Sequence, residues 1–191
     1  MSKKLFLSSS FEDVVTLLPE FEKNLVGKKV TFIPTASIVE ELGLIVDELE
    51  LSTATAEEIE SKITNNDIIY VTGGNTFFLL QEMIRTGADK LIINEVNSGK
   101  LYIGESAGAV ITAPSIEYIK SMDSPEKAPD LIDIKGFGFV DFHVLPHYTN
   151  QPFMKIAHKV FEDYSSELIL KPISNNEVIL VDGKETVTKA N

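Results

Sequence analysis

Short strand-like runs of apolar residues alternate with stretches of helical periodicity along most of this chain. The clearest run, DIIYVT at 67–72, is apolar through its centre and is typical of a strand buried on both faces of a sheet. Alternation of this kind, with short connections, predicts an α/β fold in which helices cover both faces of a mostly parallel sheet. Ligands bind in such folds beyond the carboxyl ends of the strands, so the turns there are where a functional site is expected.

The hydrophobic pattern also predicts the bounds of the individual elements. The predicted strands before the C-terminal runs are 4–8, 29–34, 47–51, 67–72, 100–104 and 140–145. The predicted helices are 11–25, 55–63, 75–85, 88–97, 107–113 and 153–164. Capping boxes at 37–40 and 55–58, in which Ser or Thr and Glu side chains bond first-turn amides, predict two helix starts. A small antiparallel C-terminal hairpin is predicted from the short runs at 168–170, 177–182 and 185–188.

Composition limits the class of protein. With 191 residues, 43% of them hydrophobic and none of them cysteine, residues 1–191 are expected to form a single α/β domain without disulfides. The net charge of -12 and the lack of basic clusters argue against nucleic acid as a partner. No apolar run is long enough for a membrane span or a signal-peptide core, so no membrane association and a cytoplasmic location are expected.

A nucleophile elbow is predicted at YIGESAGAVI, residues 102–111. In the arrangement strand, Gly-x-Ser-x-Gly, helix, the sharp turn exposes the serine hydroxyl and small neighbours prevent steric clashes. Ser106 is therefore the candidate nucleophile, and the amide of Ala107, at the start of the next helix, is a candidate oxyanion donor. The alternative interpretation is a tight strand-to-helix turn that happens to contain a serine.

A second small-residue turn, GGNT at 73–76, follows the buried strand 67–72. Alone it indicates a helix start, with Asn75 or Thr76 as the N-cap. Because this turn is expected beside the Ser106 turn at one edge of the sheet, Gly74 could supply a second oxyanion amide.

Histidines are the candidates for the base of a catalytic triad, and aspartates and glutamates are the candidates for its acid. His147, in LPHYTN, lies just past a predicted strand end and is the candidate general base, whereas His143 and His158 are interpreted as structural. The sequence leaves the acid open among four residues between Ser106 and His147, namely Glu117, Asp123, Asp130 and Asp133.

The segments VTGGNTFFLL, LYIGESAGA and LPHYTN together resemble the three motifs of the peptidase E/cyanophycinase family of serine peptidases, family S51. The resemblance covers most of the chain. It implies a three-layer α/β/α sandwich with a flavodoxin-like sheet, similar to the core of class I glutamine amidotransferases. It also implies Ser106 as nucleophile, His147 as base, and Gly74 and Ala107 as oxyanion donors. Asp123 in SMDSP is the residue nearest to the acid that the resemblance implies, after a slip of one residue.

Two departures from dipeptidase E members bear on the substrate. Glu105 stands where those members have an aromatic residue, and we hypothesise that it binds a substrate ammonium group, with Asn75 as a second substrate-binding residue. The segment 149–152 replaces the Gly- and Arg-rich loop with which those members recognise a substrate aspartate, so an Asp-X preference is not favoured.

The expected function is a serine-type, dipeptidase E-like peptidase that hydrolyses small peptides through an acyl-enzyme on Ser106. The main alternative is a catalytically weak or inactive family member that binds a small molecule or peptide. An α/β-hydrolase-type esterase is disfavoured because the stretch from Ser106 to His147 is short for that architecture. No metal and no organic cofactor are implied, and a monomer or homodimer is expected.

Overall fold

A seven-stranded mixed sheet forms the centre of the computed structural model, which describes residues 2–33 and 41–191. In the order in which they lie in the sheet, its strands are β3 (Ile45–Glu48), β2 (Lys29–Ile33), β4 (Ile68–Val71), β5 (Leu101–Glu105), β1 (Lys4–Ser8), β8 (Glu177–Asp182) and β9 (Glu185–Ala190). The first five pair in parallel, and β8 pairs antiparallel with both β1 and β9. The predicted α/β fold with a mostly parallel sheet and a C-terminal antiparallel hairpin is confirmed.

A separate two-stranded parallel sheet joins β6 (His143–Leu145) to β7 (Leu170–Pro172). The run predicted at 168–170 is therefore not part of the C-terminal hairpin, which β8 and β9 form alone. The pairing of β6 with β7 brings the turns that follow these two strands close together.

The helices are α1 (Leu18–Phe21), α2 (Ala56–Asn65), α3 (Thr76–Thr86), α4 (Ala88–Asn97), α5 (Ala107–Val110) and α6 (Met154–Tyr164). The predicted helix 11–25 is instead a 3₁₀ helix, Glu12–Leu17, followed by the single turn of α1. Pro19 explains part of this difference, because it lacks the N–H that a continuous α-helix would bond four residues back. The predicted helix 107–113 is likewise shorter, and the predicted strand 140–145 begins only at His143.

The predicted capping box at 55–58 lies within the described residues. The Thr55 hydroxyl accepts a hydrogen bond from the Glu58 amide at 3.2 Å, so α2 begins as predicted. The box at 37–40 lies outside the described residues.

Alternate residues of the strands feed two separate apolar clusters, because successive side chains of a strand point to opposite faces of the sheet. Along β1, Leu5 and Leu7 belong to the cluster that α2 to α6 cover, and Phe6 belongs to the cluster that contacts the segment before β2. All three are fully buried.

Because β1, β5 and β4 are parallel neighbours, they end at the same edge of the sheet, where the turns that follow them meet. No helix in 2–33 or 41–191 is long and apolar enough to cross a membrane.

Candidate active site

Ser106 occupies a strained turn between β5 and α5. Its backbone has φ 50° and ψ −110°, a conformation that non-glycine residues rarely adopt. The Ser106 amide donates a hydrogen bond to the carbonyl of Ser8 at 2.9 Å, which ties the turn to the end of β1. Strain held in place by the surrounding sheet is typical of a functional position, and it matches the sharp turn of a nucleophile elbow.

The two glycines of GESAG are explained by close packing. A Cβ on Gly108 would lie 2.1 Å from the carbonyl oxygen of Val71, so only glycine lets α5 approach β4 this closely. A Cβ on Gly104 would lie 2.7 Å from the carbonyl oxygen of Gly108. The Gly108 amide also donates to the Thr72 carbonyl at 3.2 Å. The glycines thus allow the helix that follows Ser106 to sit directly on the sheet.

His147 contacts the serine hydroxyl. Its Nε2 lies 3.1 Å from Ser106 Oγ. His147 also has a positive φ of 58°, and its amide donates to the Ser9 hydroxyl at 3.0 Å. Ser9, which is buried, donates in turn to the carbonyl of Ile173 at 3.2 Å. One hydroxyl at the end of β1 therefore connects the turn that carries His147 to the turn that follows β7.

Asn175 is the residue that the sequence reasoning missed. Its Oδ1 lies 2.8 Å from His147 Nδ1. An amide oxygen can only accept a hydrogen bond, so Nδ1 carries the proton and Nε2 is left with a lone pair facing Ser106. The backbone N–H of Asn175 donates a hydrogen bond to Asn150 Oδ1 at 2.9 Å, which holds the turn in place. Ser106, His147 and Asn175 thus form a Ser-His-Asn arrangement, analogous to the Cys-His-Asn variant of the catalytic triad.

Asp123 does not orient His147, and this corrects the sequence-based prediction. Its Oδ2 accepts hydrogen bonds from the amide of Thr76, at 2.9 Å, and from the Thr76 hydroxyl. Free first-turn amides and the positive end of the helix dipole favour a carboxylate here. Asp123 is therefore held at the N-terminus of α3, although it lines the same cavity as His147.

The other candidate acids also lie away from His147. The Glu117 carboxylate pairs with Lys120 at 3.3 Å on the surface. Asp130 and Asp133 line a different cavity beside α3. No residue between Ser106 and His147 fills the place of the acid, and Asn175 fills it from further along the chain.

The predicted oxyanion donors lie beside the nucleophile. Gly74 and Ala107 both line the cavity that contains Ser106. Within 2–33 and 41–191, neither the Gly74 amide nor the Ala107 amide has a hydrogen-bond acceptor. A Cβ built on Gly73 would lie 3.5 Å from Ser106 Cβ, so the GGNT turn and the elbow are neighbours. Two free amides next to the serine hydroxyl are what stabilisation of an oxyanion requires.

Asn75 and Glu105 lie outside this cavity, so neither is placed to bind substrate there. Asn75 is the N-cap of α3: its Oδ1 accepts from the Phe78 amide at 2.9 Å, and its side-chain amide donates to the Ser124 carbonyl at 3.0 Å. The capping interpretation of the GGNT turn therefore explains Asn75 fully.

Glu105 holds two elements together beneath the elbow. Its Oε1 accepts from the Phe11 amide at 2.9 Å, and its Oε2 accepts from the Tyr70 hydroxyl at 2.7 Å. Burial raises the pKa of Tyr70 well above its usual range, and the charge of Glu105 beside it raises this pKa further. Tyr70 therefore remains a donor at neutral pH. Both Glu105 oxygens are occupied by protein donors, which corrects the hypothesis that Glu105 binds a substrate ammonium group.

Glu105→Gln is expected to lower the free energy of unfolding by about 1–3 kcal/mol, because an amide offers only one acceptor oxygen to the two donors Phe11 N–H and Tyr70 O–H. Urea denaturation of the two proteins measures this difference. The substitution is expected to change turnover of free-amine and N-acetylated peptides by the same factor. A selective loss on free-amine peptides would restore Glu105 as the ammonium-binding residue.

The cavity in front of Ser106 has a volume of about 320 Å³. The ring of Phe153 stacks on the His147 imidazole, with centroids 5.0 Å apart and planes at 29°. The cavity is lined by Gly74, Thr76, Ser106, Ala107, Val110, Ile119, Met122, Asp123, Pro146, His147 and Phe153. The Ser106–His147 pair, the Gly74 and Ala107 amides and several apolar side chains therefore face the same cavity.

The remaining histidines lie outside the site. His143 is buried against the ring of Tyr118, and this burial lowers the pKa of His143. His158 packs on Tyr148, with ring centroids 4.4 Å apart. Within the described ranges, no group of three or more His, Asp and Glu side chains is arranged to hold a metal ion.

Comparisons with known proteins match the chain over almost its whole length. The model of Peptidase family S51 matches residues 4–189. An uncharacterised peptidase of Listeria monocytogenes serovar 1/2a is 56% identical over 98% of both chains. Peptidase E of Nostoc sp. is 32% identical, over 78% of this chain and 67% of that protein. The crystal structure of a candidate peptidase E from Listeria monocytogenes EGD-e has 54% identity and a TM-score of 0.93, and the match covers 100% of both chains.

Proposed function

This chain belongs to peptidase family S51 and is a peptidase, and we propose that it hydrolyses small peptides through an acyl-enzyme on Ser106. The observation that carries the proposal is the 3.1 Å contact between Ser106 Oγ and His147 Nε2 at the edge of the cavity. A serine hydroxyl is a weak nucleophile unless an adjacent base removes its proton, and this contact supplies that base.

The first half of the reaction follows from the hydrogen bonds. His147 Nε2 takes the Ser106 proton as Oγ attacks the peptide carbonyl carbon. Asn175 Oδ1 keeps the proton on Nδ1, so that the imidazole presents its lone pair to Ser106. The amides of Gly74 and Ala107 stabilise the negative charge that develops on the carbonyl oxygen.

In the second half of the reaction, His147 acts first as an acid and then again as a base. The imidazolium of His147 donates its proton to the leaving amine as the C–N bond breaks, which leaves an ester on Ser106. Water then attacks that ester, with His147 as the base, and releases the carboxylic acid and the free serine. Because Asn175 is neutral, it orients the imidazolium without offering it a full opposite charge, as a carboxylate would.

The size of the cavity supports small substrates. Its volume of about 320 Å³ lies at the lower end of the range of about 300–1,000 Å³ typical of small-molecule sites. A volume of this size suits a short segment of peptide. We therefore assign dipeptides and short peptides as the substrate class.

Hydrolysis of a mixed library of dipeptides and tripeptides, followed by mass spectrometry, tests this function. The wild type is expected to produce cleavage products that Ser106→Ala does not. The residues on either side of each cut then give the side-chain preference. A library left intact by the wild type at high enzyme concentration would contradict the proposal.

A catalytically weak member that binds peptides without rapid turnover is the second candidate, and the neutral Asn175 at the third position of the triad favours it. Calorimetric titration of the wild type separates the two. A stable complex with a peptide that stays uncleaved for hours supports binding, whereas heat from continuous hydrolysis supports catalysis.

Asn175→Ala is expected to lower kcat by about 10- to 1,000-fold, because His147 loses the acceptor that fixes its tautomer and ring orientation. Asn175→Asp keeps an acceptor and adds a negative charge that stabilises the imidazolium. We expect the acid limb of its pH–kcat/KM profile to move to higher pH than in the wild type. Measurement of both profiles checks this; an unchanged profile in both variants would show that Asn175 does not act on His147.

A further inference from the structure

The cavity beside Ser106 contains an acidic group and, among the described residues, no lysine or arginine. Among the described residues, Asp123 supplies the only carboxylate that lines it. A cavity of this charge repels substrate carboxylates and attracts ammonium groups.

Among the described residues, only one of the two carboxylate oxygens of Asp123 accepts hydrogen bonds. Its Oδ2 accepts both the Thr76 amide and the Thr76 hydroxyl. Its Oδ1 has no hydrogen-bond partner within 2–33 and 41–191. The Ser124 carbonyl, one residue on, is held by the side chain of Asn75, so the backbone around Asp123 is anchored to α3. A carboxylate anchored through one oxygen presents the other to a ligand without a large cost in side-chain entropy.

Four apolar side chains also line the cavity. Val110, Ile119, Met122 and Phe153 line it. Val110 and Ile119 are buried, and Met122 packs on the main apolar cluster. An apolar side chain of a substrate that enters here loses contact with water and gains contact with these four residues.

From this combination we infer that Asp123 is a substrate-binding residue, whose Oδ1 accepts a hydrogen bond from an ammonium group of the substrate. This inference rests on the proposed function of the same site. In an α-peptide, the N-terminal ammonium lies on the carbon next to the carbonyl that Ser106 would attack. The preferred substrates are therefore short peptides with a free N-terminus and an apolar first side chain. An ammonium could also come from a lysine side chain, and the two sources are separable by experiment.

The ratio of kcat/KM for Leu-Leu to kcat/KM for N-acetyl-Leu-Leu measures recognition of the N-terminal ammonium. We expect a ratio of about 10–100 in the wild type, the size of one charged hydrogen bond. In Asp123→Asn the ratio is expected to fall towards 1. Because both substrates are cleaved by the same variant, any general loss of activity cancels. The asparagine also keeps an oxygen for the Thr76 donors, which preserves the N-terminus of α3.

Asp130→Asn is the matched control, since it removes the same charge from the same segment outside this cavity. It is expected to keep the wild-type ratio. N-acetyl-Lys-Leu tests the second source: cleavage of this peptide faster than Leu-Leu, and dependent on Asp123, would move the ammonium to the side chain. An unchanged ratio in Asp123→Asn, or a wild-type preference for N-acetyl-Leu-Leu, would overturn the inference.

Binding to Ser106→Ala separates this inference from the proposed function. Leu-Leu is expected to bind this variant about 10- to 100-fold more tightly than N-acetyl-Leu-Leu by calorimetry. If the wild type cleaved no peptide but this difference held and disappeared on adding Asp123→Asn, the ammonium site would stand without the peptidase mechanism. If peptides were cleaved without any such difference, the peptidase mechanism would stand and the ammonium site would fall.

Discussion

Ser106→Ala is expected to lower kcat on the best peptide by about 10⁴- to 10⁶-fold, because the substitution removes the proposed nucleophile and with it the proposed acyl-enzyme. The Ser106 side chain makes one hydrogen bond, to His147, so its loss should leave the fold intact. Steady-state kinetics on the purified variant, with circular dichroism to verify folding, measure the effect.

His147→Ala and the double variant complete this experiment. Residues that act as one unit give strongly non-additive losses, so the double variant is expected to be about as slow as either single variant. Ser121→Ala is the matched control, since it removes an exposed hydroxyl that lies outside the cavity. Losses that multiply in the double variant would contradict a joint role of Ser106 and His147.

Gly108→Ala is expected to destabilise the protein by about 3 kcal/mol or more. The added methyl group would lie 2.1 Å from the Val71 carbonyl oxygen, and both are attached to backbone that can yield only if α5 moves away from β4. The same movement would displace Ser106, so activity should be lost together with stability. Chemical denaturation and peptide hydrolysis by the same preparation test both effects.

Gly73→Ala is the matched control for this prediction. A methyl group there would meet Ser106 Cβ at 3.5 Å, an ordinary van der Waals distance, and Gly73 does not have a positive φ. We expect a change in the free energy of unfolding of less than about 1 kcal/mol. Equal destabilisation by the two substitutions would show that close approach of α5 to β4 is not what requires Gly108.

Local sequence predicts those elements whose pattern is decided by nearby residues. Strands 4–8 and 177–182 are observed with the predicted bounds, because a turn or loop follows each apolar run directly. The predicted strand 140–145 begins only at His143 because the buried Phe142 packs in a loop, without strand pairing. Burial alone produces an apolar pattern, and only long-range pairing separates a strand from a buried loop.

The residues of the candidate site likewise differ in whether local sequence predicts them. The sequence predicts Ser106 and His147 as site residues because the chemistry of each constrains the residues immediately around it. Asn175 lies 28 residues after His147, and its role arises from the pairing of β7 with β6 and of β8 with β1. The residues around Asn175 carry no local pattern that predicts this role, because strand pairing alone brings its side chain to His147. The sequence predicts Asp123 as the acid, but the Thr76 amide and hydroxyl hold one of its carboxylate oxygens at α3 instead of at His147.

Labelling with a fluorophosphonate measures whether His147 activates Ser106, since this reagent reacts only with an activated serine. We expect one label per chain, located at Ser106 by peptide mass spectrometry, and a rate of labelling that falls by at least about 100-fold in His147→Ala. Labelling at another serine, or equal rates in the wild type and His147→Ala, would contradict activation of Ser106 by His147.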